Sequence, residues 1–247
     1  MKKIFYFKTG YNTIFVLIII LNFTFQFTFL DLLTKNVLAQ DYYTILQNII
    51  DTDDESQLLS IVEKWQKSND ENASLFVGIA YHNLALLDSE KYSKLSIEWL
   101  EKYKGSKFTY ICMAYKGSAI TLIANALSKK KDFIGASAKL NEGFKLLDKA
   151  VNLDPENIII RFLRSENGME ITESTPFNRS KEVEQDLNFL STKLTSLTSL
   201  SRAQYYLLLG RLKIYQKKIA EAIAALKMVI KEAPDSKYAK RARQLLA

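Results

Sequence analysis

The sequence predicts an all-α protein, an irregular array of antiparallel helical hairpins, on the basis of three observations. The 247 residues include only 8 Gly and 3 Pro, and so few helix breakers favour long uninterrupted helices. From Asp41 onward the apolar residues recur at intervals of three and four, as they do on one face of a helix. The breaks between these segments are short, which makes consecutive helices antiparallel neighbours.

The N-terminal residues have the order of a secretory signal peptide. Three lysines precede an uncharged stretch over 9–30, and Val37 and Ala39 then stand at the small-residue positions of a cleavage site. We therefore expect residues 1–39 to be a signal peptide that is cleaved after Ala39. The alternative is an uncleaved membrane anchor, because the stretch over 9–30 is long enough to cross the hydrocarbon core. Both interpretations place residues 40–247 outside the cytoplasm.

Helical periodicity divides the exported part into eleven segments. Leu140, Phe144 and Leu147, for example, fall at i, i+4 and i+7 and share one face. Asp154 and Pro155 supply a cap and a first-turn proline for the helix that follows them. The expected helices are 41–51, 54–68, 71–87, 90–104, 107–130, 132–152, 156–166, 180–195, 199–215, 218–232 and 235–246.

One stretch interrupts this pattern and is predicted to be an inserted loop. Residues 166–179 contain Gly168, Pro176 and three glutamates, a composition that favours a loop with a role of its own. Arg161 and Arg164 lie at i and i+3 on the preceding short helix. We expect them to bind the acidic residues of the loop and so anchor it to the array. The alternative is that they clamp a carboxylate or phosphate of a ligand, because arginine forms bidentate contacts with such groups.

Six residues near the C-terminus resemble a known family. They are aromatic, apolar or small residues at a fixed spacing: Tyr206, Leu209, Gly210, Ala222, Leu226 and Pro234. Over 203–236 this spacing is similar to that of a tetratricopeptide repeat (TPR). Gly210 and Ala222 are small where the two helices of a repeat must approach closely, and Pro234 separates one helix from the next. Lys213 departs from the motif, because the family has an aromatic residue at that position.

The resemblance implies a TPR-like right-handed α-solenoid of about four to five hairpins over 40–247. Residues 147–157 and 78–103 resemble parts of further, degenerate repeats. Residues 235–246 resemble the additional helix that caps such arrays, since its outward positions are basic. The family binds proteins or peptides and does no chemistry, but the resemblance does not identify the partner.

The composition argues against most kinds of enzyme. With one Cys and one His, the chain has no intramolecular disulfide and no multi-histidine metal site. Cys112 lies in an apolar helical run and is predicted to be a buried hydrophobe, and His82 to be a structural, hydrogen-bonded residue. The sequence has no phosphate-binding loop and no serine-hydrolase turn. We therefore expect no catalysis, no cofactor and no metal.

These observations predict an exported, non-catalytic protein–protein interaction scaffold of the cell envelope. The formal charge of +7 belongs partly to the N-terminal segment, and residues 40–247 hold 30 basic and 26 acidic side chains. That small, dispersed excess does not favour nucleic acid as a partner. We expect a protein or peptide partner, and membrane contact only through residues 9–30 if they stay attached. The alternative is a membrane-anchored structural or envelope-assembly component.

Overall fold

The structure is a computed structural model that describes residues 42–247, and 81% of these residues are helical with no strand among them. The chain divides into two compact units, Met1–Asp51 and Thr52–Ala247. The described part of the first unit is one helix, α1, over 42–51. The all-α fold class that the sequence predicts is confirmed.

The described helices of the second unit follow one another with short connections. Their bounds are α2 Glu55–Gln66, α3 Ala73–Leu87, α4 Ser89–Lys102, α5 Thr109–Lys129, α6 Phe133–Leu153, α7 Ile158–Ser174, α8 Ser180–Ser191, the short 3-10 helix η1 Leu194–Ser196, α9 Ser199–Tyr215, α10 Ile219–Glu232 and α11 Lys237–Leu246. Several begin at side-chain caps, such as Asp88 for α4 and Asp132 for α6.

The helices pack as consecutive antiparallel pairs. The pairs are α3 with α4, α5 with α6, α7 with α8 and α9 with α10, and α2 packs against α3. The first helices of successive pairs also contact one another in order, α3 with α5, α5 with α7 and α7 with α9. Helix α11 contacts both α9 and α10. The predicted array of helical hairpins is therefore confirmed as sequential antiparallel pairing.

Glycines lie where the two helices of a pair are in close contact. A Cβ added to Gly117 would lie 2.7 Å from the carbonyl oxygen of Gly143, so α5 and α6 meet backbone to backbone. A Cβ added to Gly210 would lie 2.8 Å from the side chain of Leu226 in α10. The first helices of the other two pairs carry glycines in similar contacts with their second helices, Gly78 and Gly168.

The prediction of an inserted loop over 166–179 is wrong for residues 166–174, which are helical. Helix α7 continues to Ser174, so only residues 175–179 connect it to α8. Gly168 lies inside the helix, and a Cβ there would be 2.7 Å from the side chain of Val183. The glycine therefore permits close helix packing and does not mark a turn. Pro176 does lie in the connection, where the helix has ended.

Helix α11 lies where the sequence predicts a final helix, at 235–246. Tyr238, Ala239 and Ala242 are buried in an apolar cluster shared with α9 and α10, whereas Lys240 and Arg241 are exposed. Its amphipathic pattern thus explains why it packs on one side only.

No helix among residues 42–247 has the length and apolar content needed to span a membrane. The predictions that concern the stretch over 9–30 and cleavage after Ala39 fall outside the described residues.

Candidate functional site

An open groove of about 550 Å³ lies between α6 and the connection that follows α7. Its apolar lining comes from both sides: Leu140, Phe144, Ile171 and Phe177. Its cationic lining consists of Lys145, Lys149 and Arg179, and its one carboxylate is that of Asp148. Asparagine side chains of α6 and the connection complete it. The groove therefore combines apolar surface with cations and amides that can donate hydrogen bonds.

Arg179 fixes the connection against α6. Its Nη2 donates to Asp148 Oδ1 at 2.6 Å, and its guanidinium lies 4.6 Å from the ring centre of Phe144. Its Nη1 lies 3.5 Å from a carboxylate oxygen of Glu182. The buried Nε has no hydrogen-bond partner in the described part of the chain. One side of the groove is thus held by a guanidinium whose position is set by a charge pair and by stacking.

Behind Arg179 lies a buried network of arginine and aspartate side chains. Asp186 of α8 is 0% exposed and accepts from Arg164 Nε at 2.8 Å and Nη2 at 2.7 Å. Arg161 Nη1 donates to the same carboxylate at 2.7 Å. Arg164 Nη1 reaches Asp148 at 3.1 Å and so joins this pair to Arg179. The network connects α6, α7 and α8 and supports the groove from within.

The electrostatics of Arg164 follow from these contacts. Burial by itself would lower the pKa of this guanidinium. The hydrogen bonds and charges of Asp186 and Asp148 outweigh burial, and the pKa of Arg164 lies above its ordinary value. The side chain therefore stays charged, as a buried bidentate ion pair requires.

Arg161 and Arg164 do not bind the acidic residues expected to be their partners. Those residues lie on α7 itself and contact α9, through Gln204 to Glu166 at 2.7 Å and Arg211 to Glu173 at 2.6 Å. The two arginines instead hold α8 against α7. The alternative that they bind a ligand stays a prediction, although each already donates to a carboxylate of the chain.

Sequence reasoning missed Asp148 and Asp186, which are distant from the arginines along the chain. One signal was present for Asp186. It is buried in α8 together with Val183, Leu187 and Leu190. A charged residue on such an apolar face needs a partner. Asp148 is half-buried on the face of α6 that also carries Leu140 and Phe144, and nothing in the local sequence indicates its partners.

The residues of the repeat resemblance lie in α9, α10 and the turn after α10: Tyr206, Leu209, Gly210, Ala222, Leu226 and Pro234. Tyr206 packs against the core cluster of α7, α8 and α9 and also against that of α9, α10 and α11. Leu226 is buried where it meets Gly210. The exposed Pro234 accepts a hydrogen bond on its carbonyl from Arg243 at 3.0 Å. Their role as a repeat motif stays a prediction.

A chain of polar side chains crosses the first helices of three pairs. His82 Nε2 of α3 lies 2.7 Å from Ser118 Oγ of α5, and Asn167 Nδ2 of α7 donates to the same hydroxyl at 2.9 Å. Thr121 Oγ1 donates to Asn167 Oδ1 at 2.6 Å. His82 is 3% exposed, and this burial lowers its pKa to about 4. The imidazole is therefore neutral at pH 7 and serves as a hydrogen-bonded link between helices.

The single thiol is also held within the helices. Cys112 Sγ lies 3.2 Å from the carbonyl oxygen of Leu100, and burial raises the pKa of the thiol to about 12. A thiol with such a pKa holds little thiolate at pH 7 and is a poor nucleophile. Among residues 42–247 no group of three or more His, Cys, Asp or Glu side chains is placed to hold a metal ion.

Comparisons with protein-family models, curated proteins and solved structures find no match to this chain. The architecture is accordingly described by its own contacts, as a domain of consecutive antiparallel helix pairs.

Proposed function

We propose that this chain is an exported, non-catalytic protein-interaction scaffold with a TPR-like arrangement of helices. The proposal rests on one observation above the others, the groove along α6 with its cationic lining. The occupant proposed for it is an acidic stretch of a partner protein.

The order of helix contacts supports the TPR-like part of the proposal. Each first helix packs on its own second helix, and the first helices of successive pairs contact one another from α3 to α9, as in stacked helical repeats. Each first helix also carries a glycine in close contact with the second. Lys213, which departs from the motif, forms an ion pair with Glu221 at 2.8 Å across the last pair. The lysine thus contributes to the same helix contact by a different interaction.

The charge arrangement of the groove supports an acidic occupant. The carboxylate of Asp148 is already shared by Arg164 and Arg179. Lys145 and Lys149 are exposed on α6 and make no ion pair with any described residue. Phe177, which is 42% exposed in the groove lining, offers apolar area for the aliphatic part of a peptide. Partly buried ion pairs fix the Arg179 side before binding, which lowers the ordering cost of association.

The test is site-specific crosslinking in the cell envelope. A photoreactive residue at Asn152, inside the groove, should crosslink a discrete partner protein. The charge reversal Lys145→Glu with Lys149→Glu should abolish this crosslink. Lys94→Glu with Lys227→Glu makes the same change in net charge at exposed positions of α4 and α10, and should leave it intact. A crosslink that survives the groove reversal, or none at all, would refute the groove as the binding site.

The envelope location is a separate part of the proposal, supported by the order of basic, uncharged and small residues in the first 39 positions. N-terminal sequencing of the mature protein tests it. A chain that begins at Gln40 identifies a cleaved export signal. A chain that retains residues 9–30 favours the alternative, a membrane-anchored structural component.

A further inference from the structure

In the second unit, many of the exposed apolar side chains lie at the turns that join the two helices of a pair. Each of the four turns within a helix pair is flanked by at least one of them, and together they form what we name the turn edge: Leu86, Leu87, Phe133, Ile134, Phe177, Ile214, Tyr215 and Ile219. Ile134 is 87% exposed and Phe133 is 66% exposed, the highest fractions among the large apolar residues of the described chain. Such side chains in water are unfavourable unless another surface covers them.

Contacts between the pairs bring neighbouring turns of this unit together. An ion pair joins Lys130, in the turn of α5 and α6, to Glu90, in the first turn of α4. Gln216, in the turn of α9 and α10, donates to Glu184 in the first turns of α8 at 3.4 Å. The connection at 175–179 contacts α6 at Asp148, more than halfway along that helix from Phe133. The contacts thus bring neighbouring turns together in two places, α3–α4 with α5–α6 and α7–α8 with α9–α10.

Two of the turns hold a lysine in a backbone conformation that favours glycine. Lys131 has φ of 65° and Lys217 has φ of 61°, a conformation that is unfavourable for a residue with a side chain. The two turns have the same hydrogen-bond pattern: Lys131 N donates to Ser128 O, and Lys217 N donates to Ile214 O. Strain that persists at a local outlier is a reason to look for function. Both lysines lie within two residues of exposed apolar side chains.

Several lysines of the turn edge form no ion pair within the described part of the chain, whereas three of its carboxylates contact other groups of the chain. Asp88 and Asp132 cap α4 and α6, and Glu221 pairs with Lys213. Four lysines at these turns make no ion pair with any residue that the structure describes: Lys129, Lys131, Lys217 and Lys218. The edge thus presents apolar side chains together with exposed lysines that form no ion pair within the described part of the chain.

We propose that the turn edge docks on the surface of an anionic lipid bilayer. The apolar side chains enter the boundary between headgroups and acyl chains, and the lysines bind the phosphate groups. A bilayer fits this edge because exposed apolar side chains lie beside exposed lysines, the combination that binds an anionic membrane surface. The turn edge shares Phe177 with the groove on α6, but the proposal does not depend on what binds in the groove or on the fate of residues 9–30.

A depth measurement on the full-length protein tests the proposal. In a Cys112→Ser background, a nitroxide label at Ile134→Cys should become accessible to oxygen and protected from a water-soluble relaxation agent on vesicles of phosphatidylethanolamine and phosphatidylglycerol. The control label at Leu153→Cys lies at the other end of the same helix and should stay accessible to the aqueous agent. Any anchoring by the N-terminal segment acts on both labelled proteins alike. Equal aqueous exposure of the two labels would overturn the proposal.

A second variant separates the lysines from the fold. Lys131→Gly with Lys217→Gly removes two charges and relieves two unfavourable backbone conformations, so the protein should melt at a higher temperature. The ratio of lipid-inserted to water-exposed label at position 134 should fall about fivefold per lysine on the anionic vesicles. On phosphatidylcholine vesicles the same variant should match the parent. An unchanged ratio on anionic vesicles would show that the lysines bind no lipid and would refute the proposed mode of docking.

Discussion

Protonation of His82 should control part of the acid stability of this protein. The folded chain holds this imidazole at a pKa of about 4, against 6.5 for the free side chain. The unfolded chain therefore binds a proton that the folded chain does not, at every pH between these two values. Because protons then favour the unfolded state, the free energy of unfolding should fall as the pH is lowered from 6.5 to about 4.

The size of the effect follows from the shift in pKa. Each unit of difference corresponds to 1.36 kcal/mol, so complete protonation of the unfolded chain would remove about 3 kcal/mol of stability at pH 4. The physical cause is the loss of hydration of the charged ring, which is 3% exposed and surrounded by Ser118, Asn83 and Tyr115. Asn83 opposes the shift, because it accepts a hydrogen bond from the protonated ring.

Two measurements check this prediction. Urea unfolding at a series of pH values should give a smaller pH dependence for His82→Gln than for the parent between pH 6.5 and 4, since both proteins carry the same carboxylates. The chain has one histidine, so a proton NMR titration reports its pKa without assignment. A titration midpoint near 6.5 in the folded protein, or equal pH dependence of the two proteins, would show that the imidazole is not desolvated as described.

Three further predictions concern packing and charge, each measured by urea unfolding at neutral pH. Asp186→Asn should destabilise the protein by about 3 to 5 kcal/mol, because the buried Arg164 and the partly buried Arg161 lose the carboxylate that they share. Asp148→Asn should cost only about 1 kcal/mol, since that site is partly exposed. Equal losses would contradict the network. Gly117→Ala should lower the free energy of unfolding by about 1 to 3 kcal/mol, because the added Cβ meets the backbone oxygen of Gly143. Gly210→Ala should lower it less, because the added Cβ meets the side chain of Leu226, which can move. The reverse order would refute the backbone contact. Burial raises the pKa of Glu166, so the free energy of unfolding should fall as the pH rises through that pKa and the buried carboxyl becomes charged. Glu166→Gln, which stays neutral, should then be more stable than the parent at pH 7. A less stable variant would refute this.

The helices and their pairing could be predicted from the sequence because both depend on local pattern. Leu140, Phe144 and Leu147 repeat with the helical period, and all three are buried in the structure. Short connections leave adjacent helices little choice other than antiparallel packing. Such information is contained within about twenty residues of sequence, the length of one long helix.

The inserted loop was mispredicted because long-range contacts decide the structure there. Gly168 and a run of polar residues have low helix propensity, which favours a loop. Packing against Val183 and ion pairing of Glu173 with Arg211 of α9 stabilise the helix instead. Neither partner is recognisable from the local sequence, since tertiary contacts override propensity only after the pairs have assembled.

The groove and the network behind it could not be predicted for a related reason. Arg161 and Arg164 are visible as a helical pair, but their shared acceptor, Asp186, comes from the next helix and Asp148 from the preceding one. The groove itself combines one face of α6 with a short connection more than twenty residues away. No periodicity links these segments, so composition suggested an arginine site without indicating what the arginines bind.

The groove and the turn edge share one residue, and this overlap allows their roles to be separated. Phe177 lines the groove and, at 42% exposure, also belongs to the turn edge. If both proposals hold, a bilayer at the edge restricts the groove at this end, and a partner must enter along α6 from the side of Asn152. Phe177→Ser should then weaken both partner crosslinking and lipid insertion. The reversal of Lys145 and Lys149 should weaken crosslinking alone, because those side chains lie on α6 away from its turn.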